Sequence, residues 1–136
     1  MKRSRRLLAA AVTFLLLLSC KSGGDSADLR PVQQQKAGDY TVSVLTDTGT
    51  MKQGSSTFTL EFRKTADNQL VDVGTVQVSP VMEMPGMAPM MGGADVTPTG
   101  TPGRYSVKGS LGMAGLWKMN VKFGTDQSVR FSLNAK

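Results

Sequence analysis

The sequence predicts an all-β fold: a single antiparallel β-sandwich of immunoglobulin-like kind with about seven strands. Three observations predict it. From residue 38 onward, apolar side chains recur at every second position in run after run. Clusters of Gly, Pro, Asn and Asp separate those runs. No helical apolar period is found after residue 20. Alternation with period two belongs to a strand with one buried and one wet face. Turn residues at short, regular intervals belong to strands folded back on one another. A small closed barrel is the competing architecture.

In chain order, residues 1–19 read as an export signal. MKRSRR is basic, LLAAAVTFLLLL is apolar, and Leu17-Leu18-Ser19-Cys20 follows directly. The apolar run is too short and wrongly flanked for a lasting transmembrane helix. Leu17, Ser19 and Cys20 stand as in the lipobox of bacterial lipoproteins. That resemblance implies cleavage before Cys20 and a diacylglyceryl group on its sulfur; the alternative is an ordinary signal peptide with a chance cysteine. Cys20 is the only cysteine, so lipidation would leave no thiol for a disulfide, a nucleophile or a metal. The expected location is the bacterial cell envelope, lipid-anchored and facing the periplasm. Lys21, where an Asp would favour the inner membrane, points more to the outer one.

Residues 20–37 are expected to be a flexible tether, because KSGGDSADLRPVQQQK is polar and aperiodic and cannot offset its ordering entropy by burial. Residues 38–136 are expected to form the sandwich. The formal charge of +6 overstates the mature balance. Without Lys2, Arg3, Arg5 and Arg6, residues 20–136 carry 12 basic and 10 acidic side chains, net +2. That is too weak and scattered for a nucleic-acid footprint, and no nucleic-acid partner is expected.

The strands follow from their alternation. Tyr40, Val42 and Val44 share one face; so do Phe58, Leu60 and Phe62, then Val76 and Val78, then Tyr105 and Val107. Trp117, Met119, Val121 and Phe123 form the longest such face, and Val129, Phe131 and Leu133 the last. A further short strand is expected near Ala94–Thr97. Asp47-Thr48-Gly49, Ala66-Asp67-Asn68, Pro98-Thr99-Gly100 and Gly124-Thr125-Asp126 supply the turns. Met51 stands alone in a polar loop and is expected at the surface.

Five methionines crowd one stretch, VMEMPGMAPMMGG: Met82, Met84, Met87, Met90 and Met91. The chain has no histidine. A thioether is soft, uncharged at every pH and prefers Cu(I) to hard cations. The face of Val76 and Val78 continues through Pro80 to Met82 and Met84, although Pro80 and Pro85 weaken a strand there. Met113 lies on a second Gly-flanked element, Leu111-Gly112-Met113-Ala114-Gly115-Leu116-Trp117. Gly112 and Gly115 predict a tight turn or bulge into the Trp117 strand.

These pieces carry a resemblance. Met82-x-Met84-Pro85-x-Met87, then Gly103-x-Tyr105, then Met113-x-Gly115-x-Trp117 resemble the YtkA-like domain, related to FixH-type domains, over roughly residues 40–125. The resemblance implies an extracytoplasmic immunoglobulin-like sandwich, found in lipoproteins and beside heavy-metal or copper efflux components. Relatives often carry a His in or after the Met-Pro-x-Met segment. Here Ala88, Pro89 and Met90 occupy that place, which removes a mixed His/Met site.

Three readings of the methionines stand at this point. In the first, Met84, Met87 and Met113 converge on one Cu(I), with Met82, Met90 and Met91 as alternates and Trp117 as a wall offering a cation–π contact. In the second, Met82, Met84 and Met119 fill gaps in the core. In the third, a metal-free Met-rich loop docks on a membrane protein complex. Trp117 is also the expected core tryptophan. Glu83 and the Lys118/Lys122 face are expected to be solvated. An enzyme is not expected: there is no His, no free thiol after lipidation, no Gly-x-Ser-x-Gly and no closely spaced carboxylate pair. The leading expectation is a lipoprotein that buffers Cu(I) or Ag(I), or donates it to an efflux or oxidase-assembly partner.

Overall fold

The structure is a computed structural model and describes residues 28–136. The expected signal, Cys20 and the first part of the expected tether lie outside the described residues. Among the described residues nine strands form, in the order β1 (Arg30–Ala37), β2 (Tyr40–Thr46), β3 (Gly54–Lys64), β4 (Val76–Met82), β5 (Met90–Met91), β6 (Gly93–Pro98), β7 (Arg104–Leu111), β8 (Gly115–Phe123) and β9 (Gln127–Ala135). They make two sheets, β1-β2-β3-β7-β6 and β5-β4-β8-β9. Every pairing between named strands is antiparallel. The expected all-β antiparallel sandwich is what forms, with no helix among the described residues.

The alternation decides which side chains enter the core. Val42, Val44, Phe58, Leu60, Phe62, Val76, Val78, Val107, Met119, Val121, Phe131 and Leu133 are all buried between the sheets. Each fully buried Leu or Phe contributes about 1.5–3 kcal/mol by leaving water. Phe62 meets Tyr105 edge-on, with ring centroids 5.5 Å apart, and leans on Phe123 at 4.9 Å. Tyr40 closes that cluster against Phe123 at 5.6 Å. These aromatics come from the starts of β2 and β7 and the ends of β3 and β8, so they fill one end of the sandwich. Trp117, at the start of β8, fills the other.

Two extra strands account for the difference from about seven. Arg30–Ala37, expected to be the end of the tether, pairs with β2 from Arg30↔Thr46 to Ala37↔Tyr40. Its alternation is invisible because it is an edge strand, held by backbone hydrogen bonds and contributing little beyond Ala37 and Val32 to the core. The folded unit therefore begins before residue 38. Met90–Met91 is a two-residue strand on β4, too short to show a period.

Two other expectations change. β2 is not half-wet: Thr41, Ser43 and Leu45 on its outer face are also buried. Gln34 donates from Nε2 to Ser43 Oγ at 3.1 Å, and the Thr41 and Thr65 hydroxyls lie 3.0 Å apart. Met51 is not at the surface but 1% exposed. It bridges to Ala135 of β9, and its carbonyl accepts the Lys136 N–H at 3.1 Å. A tertiary contact with the C-terminus, distant in sequence, buries it.

Candidate functional site

Pro80 does not end β4. It pairs with Met119 of β8, and its carbonyl, turned to the opposite edge, accepts the Gly92 N–H at 2.9 Å. A residue's N–H and C=O point to the same side of an antiparallel strand. The donor that proline lacks would therefore face the edge that β5 leaves short, where no ladder needs it. β4 thus runs through to Met82, and Met82 stays on the inward face of Val76 and Val78, 7% exposed.

The β4–β5 connection then turns back. Met87 N–H donates to the Met84 carbonyl at 3.2 Å, and Met90 comes opposite Met82. Residues paired directly across two strands project to the same face, so Met82 and Met90 both reach the β7–β8 connection. Met82 Cε lies 3.1 Å, and Met90 Sδ 3.5 Å, from where a Cβ on Gly115 and Gly112 would stand. Gly115 has φ +132°, a backbone that only glycine takes readily. Trp117, fully buried, donates from Nε1 to the Met113 carbonyl at 2.9 Å. The tryptophan thereby anchors the backbone that carries Met113.

These contacts bring both methionine segments to one end of the sandwich. Val81 pairs with Lys118 at the end of the β4–β8 ladder, and Met82 lies against Gly115, two residues from Met113. The six methionines divide by exposure. Met82 is in the core, and Met84 and Met90 are half-buried against it. Met87, Met91 and Met113 are 68%, 67% and 44% exposed. Met91 alternates with Met90 and so projects to the outer face of its sheet, where it lines a shallow groove with Val81 and Arg130. Leu116, alternating with Trp117, is 56% exposed on that same outer face. Sequence reading did not single out Leu116, although its parity opposite Trp117 was the available signal.

One ion pair borders the rim. Lys118 Nζ reaches Glu83 Oε2 at 2.5 Å. The hydrogen bond and charge of Lys118 hold the Glu83 carboxyl below the ordinary carboxylate value. Glu83 is exposed, as expected, and is paired with the half-buried Lys118. Among the described residues no group of three or more His, Cys, Asp or Glu side chains is placed to hold a metal. The exposed sulfurs at this end are thioethers, soft donors that suit Cu(I) or Ag(I) better than a hard cation.

The remaining motif is structural. Gly103 accepts the Phe62 N–H at its carbonyl, 2.8 Å away. Tyr105 Oη lies 2.8 Å from Asp72 Oδ1 and 3.0 Å from the Gly74 carbonyl, so its one proton ties the β3–β4 connection to β7. Burial, with the Asp72 carboxylate beside it, raises the Tyr105 phenol above its ordinary value. The hydroxyl therefore stays a donor.

Comparison with curated proteins gave no match, and comparison with solved structures gave none. A family match covers residues 34–122, more than half of the chain, and takes in the Met-Pro-x-Met, Gly-x-Tyr and Met-x-Gly-x-Trp segments whose contacts are described above. On that match the chain belongs to the YtkA-like family.

Proposed function

We propose that this protein binds a monovalent soft metal ion, Cu(I) or Ag(I), through the thioethers at the methionine end, as a buffer or as a donor to an efflux or oxidase-assembly partner. One observation carries the reading. All the large hydrophobic side chains that stand exposed among the described residues, Met87, Met91, Met113 and Leu116, flank the β4–β5 and β7–β8 connections, and three of the four are methionine. Met84, Met87 and Met113 are the proposed ligands. Two neighbouring connections supply them, and three thioethers suit a trigonal soft site. Met90 and Met91 are reserves, and Met82 supports the site from the core. Trp117 contributes by fixing the Met113 backbone. We place the protein in the cell envelope, anchored through Cys20; a Cys20→Ala chain moving from the membrane to the soluble fraction checks this.

Competition against a colorimetric Cu(I) chelator tests the metal reading. The chain should take up about one equivalent, and changing Met84, Met87 and Met113 together to Leu should abolish uptake while keeping apolar area. Failure of the unaltered chain to compete would remove the metal. The exposed Leu116, which offers no ligand, favours a second reading, a metal-free module docking on a membrane protein complex. Under it, partner capture survives the Leu changes and is lost when the same three residues become Ser.

A further inference from the structure

We infer that the exposed rim thioethers are a reversible oxidation site that switches metal uptake off. The inference rests on the soft-metal reading above. The methionines stand in two tiers of access: Met87, Met91 and Met113 lie open, whereas Met51, Met82 and Met119 are 1%, 7% and 1% exposed. The described residues contain no thiol, and Trp117 is fully buried. The rim thioethers are therefore the soft groups that a two-electron oxidant meets first.

The oxidant class is a peroxide or a hypohalous acid. With hydrogen peroxide, the sulfur lone pair attacks one peroxide oxygen; the S–O bond forms as the O–O bond breaks. The proton of the transferred hydroxyl passes to the departing hydroxide, which leaves as water. Sulfur is oxidised by two electrons and the peroxide is reduced by two. Reduction reverses it: the sulfoxide oxygen leaves as water while two thiols of the reductant close to a disulfide.

The two tiers give this chemistry different consequences. At Met87 and Met113 the sulfoxide stays hydrated, so the fold is unaffected, but a soft sulfur donor becomes a group that offers chiefly a hard oxygen, poorly matched to Cu(I). At Met82 the same oxygen would lie in the core against Gly115, with burial and no hydrogen bond. Burial of Met82 protects the scaffold while the rim responds.

Graded hydrogen peroxide on the full chain, with peptide mass mapping, Cu(I) competition and thermal unfolding at each dose, tests the switch. Met87, Met91 and Met113 should oxidise at least about tenfold faster than Met51, Met82 and Met119. At the dose that converts only the rim, Cu(I) affinity should fall about tenfold or more with the unfolding midpoint unchanged, and methionine sulfoxide reductase with a dithiol should restore it. Met87→Gln with Met113→Gln, which replaces both sulfurs by polar amides, should lose uptake without any oxidant and still fold. Equal oxidation rates in the two tiers, or full uptake by the rim-oxidised chain, would overturn the switch alone. No uptake by the untreated chain would overturn the metal reading and the switch with it.

Discussion

Gly92 stands where the chain leaves one sheet for the other, between β5 on β4 and β6 on β7. A Cβ there would lie 2.8 Å from the Ser110 carbonyl oxygen, 3.0 Å from Pro80 Cβ and 3.1 Å from the Trp117 ring. Backbone and a fully buried indole give way poorly, so Gly92→Ala should destabilise by about 1–3 kcal/mol. Gly100→Ala, with open space around it, should change stability by less than about 0.5 kcal/mol. Denaturant unfolding of the pair checks this; equal effects would mean that Gly92 is not the pinch point. Residue by residue, much was legible in advance. The inward set Val76, Val78, Pro80, Met82 follows from parity alone. Gly92 was not legible, because nothing in Met-Met-Gly-Gly says that two sheets approach within a few ångströms of its Cα. Met51 was hidden for the same reason: it is buried where the returning C-terminus bridges to it.

Between elements, β3 is joined to β7 by a buried charge as well as by its ladder. Glu61, 6% exposed, accepts Arg63 Nε at 2.5 Å and Arg104 Nε at 2.8 Å. Burial alone pushes its carboxyl up, but the hydrogen bonds and charges of the two arginines together outweigh that and leave it below the ordinary carboxylate value. A carboxyl that binds its proton less readily when folded stabilises the fold above its unfolded value and loses that contribution as pH falls through the folded value. Glu61→Gln should therefore cost about 1–3 kcal/mol at neutral pH, where two arginines lose their carboxylate. The gap to the unaltered chain should shrink as pH drops below the ordinary glutamate value, about 4.3, and close in strong acid. Asp72 and Glu83 are depressed too, but they are common to both proteins and cancel in the difference. Stability curves at several pH values check it; a gap independent of pH would mean that Glu61 works by packing and not by charge. Elements with alternating Val, Phe and Trp were legible as strands. β1 was not, because the ladder of an edge strand uses backbone, which every sequence carries.

For the whole molecule, the boundary of the folded unit is a testable quantity. A chain beginning at residue 28 retains β1; one beginning at residue 38, the expected start of the sandwich, loses the seven register pairs of β1 with β2. It also loses the Gln33 side chain, whose Oε1 accepts the Ser132 N–H at 3.0 Å and caps the edge of the other sheet. At about 0.5–1.5 kcal/mol net per hydrogen bond, the shorter chain should be less stable by at least about 2 kcal/mol. Thermal unfolding of both lengths checks this, and matching midpoints would show that β1 is dispensable. The methionine end is also a property of the whole: it exists because β4 and β8 are neighbours, which sets the turn after Met82 beside the turn before Trp117.

Sequence alone determined the class of fold, the inward face of most strands and the two methionine segments, because period and side-chain chemistry are local properties of the chain. Tertiary structure alone decided which thioethers are open and which are core. Exposure depends on what packs opposite a side chain: Gly115 lies over Met82, whereas Met87 and Met113 project from turns that no other element among the described residues covers.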